Sequence, residues 1–250
     1  MSSSQLLTIH NNLEKLLDSK RDAMPANFNK TRFLQNSMSV LQDTKGINEC
    51  DAVSIARTML KGAFLGLDFF NKECYPIIYG GVCTFQTDYK GEIKLAQKYS
   101  VRPVLRIYAE LVREGDFFLK ETKDGEQTIQ HKPPEGFNDG KVIGAYAVVL
   151  YKDGGMACDS MSVKEIEETR KNYSKQANGP SWTKSPGEMQ KKTVLRRLCK
   201  TIQLDFDNIE QAQAFEDGAD FEAKKQPEQN SPLNIIDAEF EEIANAADKE

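Results

Sequence analysis

The sequence predicts a mixed α+β fold: a small antiparallel sheet with a hairpin packed against helices, further helices N-terminal to it, and a disordered acidic C-terminal tail. Three observations predict it. The hydrophobic period switches between helical and strand spacing along residues 5 to 206, a Gly-Gly pair divides two β-prone runs, and the composition turns acidic after Phe206.

Leu6, Ile9, Leu13, Leu16 and Leu17 recur at helical spacing, and after the Met24-Pro25 break so do Phe33, Leu34, Met38 and Leu41. Two helices are expected over residues 5 to 42. A longer one is expected over 51 to 69, with Ala56, Met59, Leu60, Ala63, Phe64 and Leu67 on one face. Gly62 and Gly66 weaken that helix but permit close approach of a neighbour. Tyr75-Pro-Ile-Ile-Tyr79 and Val82-Cys-Thr-Phe-Gln86 flank Gly80-Gly81, the signature of a type I′ hairpin, whose two turn residues both need positive φ. Pro76 has no N–H for a ladder, so its strand is an edge or bulged.

Residues 88 to 100 return to helical spacing, 101 to 118 are strand-rich, and 127 to 130 suit a short strand. Residues 142 to 151 are the most apolar run and are expected to pair with 156 to 162 across Asp153-Gly-Gly155. Ser162-Val-Lys-Glu165 reads as a capping box that opens a helix to Tyr173. A loop over 178 to 187 and a helix over 188 to 202 complete the folded part. Residues 207 to 250 hold 13 acidic and 3 basic side chains with few apolar groups before Ile235-Ile236.

Several functions are disfavoured by composition. No run approaches the roughly 18 apolar residues of a membrane span, and the Ser-rich start lacks the features of a signal peptide, so the chain reads as cytoplasmic with no membrane partner. Five widely spaced cysteines without a Cys-x-x-Cys, and two histidines, His10 and His131, make a poor zinc site and a poor nucleophilic triad. There is no phosphate-binding loop of the G-x-x-x-x-G-K-[ST] type and no G-x-G-x-x-G. No cofactor and no catalytic residue are expected.

The net charge of −5 divides unevenly: residues 1 to 206 carry +5 and residues 207 to 250 carry −10. Within the basic part, Lys90, Lys94 and Lys98 line one face of a helix, as do Lys192, Arg196 and Lys200, flanked by Lys191 and Arg197. Five cations between 191 and 200 with no anion among them suit a phosphate track, because each neutralised phosphate releases counterions. Tyr75, Tyr79, Phe85 and Tyr89 precede the first stripe and Trp182 the second; Trp182, in a polar loop, is the best candidate to stack on a base. A solvated helix face explains a single stripe equally well. Glu110, Glu114 and Asp116 leave open a metal-dependent nuclease, and the acidic tail leaves open an adaptor that binds a basic partner.

The segments from Ala56 to Leu67, Tyr75 to Gly80 and Phe85-Gln-Thr-Asp-Tyr-Lys-Gly91 with Leu95-Ala96 resemble, in order, the RecT family of phage single-strand annealing recombinases. The resemblance continues through Val112-Arg-Glu-Gly-Asp-Phe117, His131 with Pro133-Pro134, Gly144-Ala-Tyr-Ala147, Gly179-Pro-Ser-Trp182, Glu188-Met-Gln-Lys-Lys-Thr-Val194 and Lys200. The family's usual Leu-Ile-Pro-Tyr strand stands here as Pro76-Ile-Ile-Tyr79.

The resemblance implies an ATP-independent protein that binds single-stranded DNA, anneals it through a duplex intermediate, and forms rings or helical filaments. It also implies a partner 5′ to 3′ exonuclease, with a host single-strand-binding protein as a further partner. The expected division is an oligomerisation segment over 1 to 48, an annealing core over 49 to 206 and a flexible acidic tail over 207 to 250. Lys90, Lys94, Lys98, Lys191, Lys192, Arg196, Arg197 and Lys200 are expected to hold backbone phosphates, with Gln86, Thr87 and Tyr89 near sugars or base edges and Trp182 stacking.

Overall fold

The computed structural model describes residues 3–123, 125–174 and 177–218. Helix α1 (Ser3–Ser19) packs against both α2 (Lys30–Asp43) and α3 (Ala52–Leu65), and the three apolar stripes share one core. Ile9, Leu13 and Leu16 of α1, Leu41 of α2, and Ile55, Met59 and Leu60 of α3 are fully buried together. The helix expected to reach residue 69 stops at Gly66, whose φ of 65° closes it in the left-handed region. Gly62 makes that stop compact, because a Cβ there would overlap the Phe69 ring.

Strands β1 (Cys74–Tyr79) and β2 (Val82–Thr87) form the expected hairpin, in unbroken register from Cys74 opposite Thr87 to Tyr79 opposite Val82. Gly80 and Gly81 both have positive φ, as a type I′ turn requires. The ribbon is two-stranded, so Pro76 stands on an edge and no bulge is needed to accommodate it. Helix α4 (Tyr89–Tyr99) follows at once, with Asp88 capping it.

The main sheet is antiparallel, in the order β3 (Val104–Arg113), β6 (Val142–Tyr151), β7 (Met156–Ser162). Strand β6 is apolar throughout because both faces are covered. Ala145, Ala147 and Val149 face Val194, Leu195 and Leu198 of α7 (Pro186–Cys199), whereas Tyr146 and Val148 pack with Phe118 and Ile129 of the β4 (Phe117–Lys123) and β5 (Glu126–Lys132) hairpin. That hairpin is a sheet of its own. Ser162 and Glu165 form the expected capping box at the start of α5 (Val163–Tyr173).

Two expectations change. The loop over 178 to 187 contains a short helix, α6 (Pro180–Lys184), with Pro180 in its first turn. The stretch expected as acidic tail from residue 207 opens with a helix, α8 (Ile209–Asp217), which packs on α3 and β2. Asn208 and Gln211 both donate to the Ala23 carbonyl at 3.2 Å, Lys61 pairs with Asp217 at 2.8 Å, and Phe206 stacks between Tyr99 and Phe215. The rest of the tail expected over 207 to 250, from residue 219 on, lies outside the described residues. Among the described residues no helix is long and apolar enough to cross a membrane.

Candidate nucleic-acid interface

Helices α4 and α7 meet along a charged seam. Asp88 and Glu92 repeat at four-residue spacing on α4 and its cap, as do Lys192 and Arg196 on α7, so the two rows match rung for rung. Lys192 Nζ lies 3.0 Å from Asp88 Oδ2, and Arg196 Nε lies 2.7 Å from Glu92 Oε1. The second rung is deep: the Arg196 and Glu92 side chains are 2% and 9% exposed. Thr87 joins it, donating its hydroxyl to Glu92 at 3.1 Å. Burial raises the Glu92 carboxyl above its ordinary range, against the lowering pull of Arg196, and the other oxygen, Oε2, has no hydrogen-bond partner among the described residues.

The stripe expected from Lys192, Arg196 and Lys200 is therefore not a solvated face. Its middle member, Arg196, is interior, because helical spacing places three residues on one side without saying which way that side points. Thr87 is likewise buried, its backbone N–H donating to the Gly218 carbonyl at 3.2 Å and its hydroxyl proton shared between that oxygen and Glu92, each 3.1 Å away. Trp182 is 6% exposed, beneath the Arg170 guanidinium at 5.1 Å from its ring. Gln86 and Tyr89 are half-buried.

The other cations reach the surface. Lys191 pairs with Glu188 at 2.7 Å, and the Arg197 Nη2 donates to Asp159 at 2.7 Å and to the Ser160 carbonyl at 2.8 Å. Lys90 and Lys200 are exposed. Lys94 bridges Glu73 at 2.6 Å and the Gly66 carbonyl at 2.8 Å, and Lys98 donates to the Tyr99 hydroxyl at 2.7 Å. Burial pushes the Lys98 ammonium down and the Tyr99 phenol up to about 12.

Two clefts collect these groups. Lys94 and Lys98 line one of about 300 Å³, together with Arg32, Asn27, Asn29 and Phe28 from the start of α2 and the turn before it. Spacing along α4 gave no sign of Arg32, which the tertiary fold brings across to it. Arg197 and Lys200 line a second cleft of about 300 Å³, with Met161, Thr169, Tyr173 and Thr193. It adjoins a smaller pocket that shares Thr169, Tyr173 and Thr193 and reaches Lys192, Arg196 and Trp182. The groove between α5 and α7 thus gathers five of the expected residues.

A family model described as the RecT family matches residues 31–230. The curated Protein RecT of Escherichia coli (strain K12) is 30% identical over 190 residues, which cover 72% of this chain and 69% of that protein. The chain belongs to the RecT family. It is accordingly a DNA-binding recombination protein of the single-strand annealing type. Several RecT-like motifs now have a physical reason. Gly91 of Tyr89-Lys-Gly lies against the backbone of Glu73, where a Cβ would overlap the carbonyl oxygen, so α4 seats at that point only with glycine. Gly144 of Gly-Ala-Tyr-Ala lies under the Met161 carbonyl, at 2.8 Å from where a Cβ would sit. Trp182 of Gly-Pro-Ser-Trp is core, packed with Val194 and Leu198 of the Glu-Met-x-x-Lys-Thr helix.

The acidic group considered as a nuclease site separates. Glu110 and Glu114 are exposed, whereas the Asp116 side chain is 3% exposed and accepts from the Arg113 N–H at 2.7 Å and from Asn138 at 2.6 Å. His131 Nε2 lies 3.1 Å from Asp116, and its Nδ1 lies 3.2 Å from the Tyr146 hydroxyl. Among the described residues no three His, Cys, Asp or Glu side chains are grouped to hold a metal ion. The RecT-like His131 is thus a clasp between the β4–β5 hairpin and β6, a role that spacing alone did not suggest.

Proposed function

We propose that the protein anneals complementary single strands without ATP, as a ring or helical filament of many copies along the DNA. Lys90, Lys94, Lys98, Lys191, Lys192, Arg197 and Lys200 hold phosphates, and Arg196 holds α7 against α4 so that the cationic rims stay in fixed relation. The observation that supports this most is the α5–α7 cleft, whose lining among the described residues holds Arg197 and Lys200 and no carboxylate, Asp159 bonding Arg197 from outside that lining. Contacts confined to the backbone leave the pairing edges of the bases open to a second strand. Stacking in the new duplex, about 1.4 kcal/mol per base-pair step, supplies the driving force, so no chemical step is asked of the protein. The exposed pairs of Lys94 with Glu73 and Lys191 with Glu188 are worth at most about 1 kcal/mol each, so phosphate displaces these carboxylates at small cost. The single strands come from a partner 5′ to 3′ exonuclease, with a host single-strand-binding protein as a further contact.

The test is annealing of two complementary oligonucleotides by the full chain, followed by fluorescence in ATP-free buffer. Pairing faster than the spontaneous rate supports the reading, and an unchanged rate refutes it. If each protomer neutralises about four phosphates, log K for single strands falls with log salt at a slope of roughly −3 per protomer. A flat dependence removes the phosphate track. Strand shortening with magnesium and no added exonuclease transfers the function to a nuclease.

A further inference from the structure

The expected stacking residue, Trp182, is buried, yet the α5–α7 cleft presents another aromatic ring. Tyr173 is the last residue of α5 and is 43% exposed. Side chains on a helix lean back over the preceding turn, which is where Thr169, its i−4 neighbour, lines the same cleft. The hydroxyls of Thr169 and Thr193 each donate to the carbonyl four residues earlier in their own helices, Glu165 at 2.9 Å and Met189 at 2.8 Å. Their polar ends are spent on backbone, so these threonines and Met161 make an apolar floor. Across from it stand Arg197 and Lys200. Asp159 grips the Nε and Nη2 of Arg197 and so orients the fork, while Nη1 has no hydrogen-bond partner among the described residues.

An aromatic wall, an apolar floor and two cations on one rim match a nucleotide in both halves of its chemistry. A base offers a π-face to the ring, and its phosphate meets the cations. The volume of about 300 Å³ is at the small end for ligand sites and suits one nucleotide rather than a duplex. We propose that this cleft is a single-nucleotide subsite in which Tyr173 stacks on one base of the bound strand while Arg197 and Lys200 hold its phosphate. The inference rests on the annealing reading above and adds to it a contact with a base, made through its face, which leaves the pairing edge exposed. It also restricts the subsite to single strands, since a base within a duplex has both faces covered by its neighbours.

The experiment compares the full chain with Tyr173→Ala and Tyr173→Phe, using a labelled oligo-dT and an abasic phosphodiester strand of the same length. The unaltered protein is expected to prefer the strand with bases. Tyr173→Ala should lose roughly 5- to 150-fold in affinity for oligo-dT, with little change for the abasic strand and no change in salt slope. Tyr173→Phe should stay within about twofold, since the ring face is kept. Arg197→Ala and Lys200→Ala should weaken both strands and flatten the slope by roughly 0.7 each. Equal affinities of Tyr173→Ala and the unaltered protein for oligo-dT overturn the subsite while leaving annealing intact. Absence of salt-dependent binding to either strand by the unaltered protein overturns the subsite and the annealing reading together.

Discussion

Arg196 separates a structural role from a DNA-contacting one most sharply. Replacing it with Ala removes what is, among the described residues, the only cation bonded to the buried Glu92 oxygen, and leaves the Thr87 hydroxyl as the one remaining described donor. Breaking one side of a buried pair costs about 3–5 kcal/mol, whereas a truncation on the surface stays within about 0.5 kcal/mol. For a folded unit of this size, each kcal/mol moves Tm by about 2–4 °C, so Arg196→Ala should lower Tm by about 6–20 °C. Urea unfolding followed by circular dichroism measures the same loss directly. Replacing both partners, as Glu92→Leu with Arg196→Met, should recover most of it, because no charge is then left unpaired.

The sign of the pH dependence follows from the same site. Burial already holds the folded Glu92 carboxyl above its ordinary 4.5, and losing Arg196 raises it further. A group raised on folding favours the fold below the unfolded value, and that advantage is lost as pH rises through the folded value. The deficit of Arg196→Ala should therefore be smallest below pH 4.5 and grow toward neutrality. A variant as stable as the unaltered chain at pH 7, but weak in DNA binding, would refute the interior pairing and return Arg196 to the surface stripe.

Three further outcomes follow from particular contacts. Gly91→Ala forces a Cβ onto the Glu73 carbonyl, which is backbone and cannot swing aside, so thermal melting should show a loss of about 1–3 kcal/mol. A chain ended at Phe206 should melt below one ended at Gly218, because it loses the buried Ala214 and the Phe215 contact with Phe206; truncating Leu- or Phe-sized groups costs about 2–5 kcal/mol, and equal Tm values would show α8 undocked. Asp153, doubly bonded to Arg102, is held down to about 2, so the turn between β6 and β7 keeps this contribution above pH 3.8 and loses it as pH falls through about 2. Acid titration followed by NMR checks the midpoint, and Asp153→Asn should abolish the step.

Much of the fold was legible because its causes are local. The Gly80-Gly81 turn needs positive φ at two adjacent residues, and the Ser162-Glu165 box closes within one turn, so neither depends on distant chain. The switch from helical to strand period marked nearly every element, and the uneven charge distribution marked the basic part of the chain. Boundaries slipped where a distant contact decides them. α3 ends at Gly66 partly because Phe69 folds back onto Gly62, and residues 209 to 217 become helix where Ala23 and Lys61 give them partners and Thr87 holds the capping Gly218.

The candidate site divides along the same line. Sequence by itself determined which residues share a helix face, the abundance of cations between 191 and 200, and the order of RecT-like motifs. Only the tertiary structure decided which way those faces point. The fold sets Asp88 and Glu92 against Lys192 and Arg196, over a hundred positions away, and this draws two of the three members of one stripe into a charged seam, with Arg196 buried. It likewise buries Trp182 and brings Tyr173 to the cleft rim. The physical reason is that helical periodicity specifies angles about one axis, whereas the partner of a charge or a ring is chosen by packing between axes, which no single segment encodes.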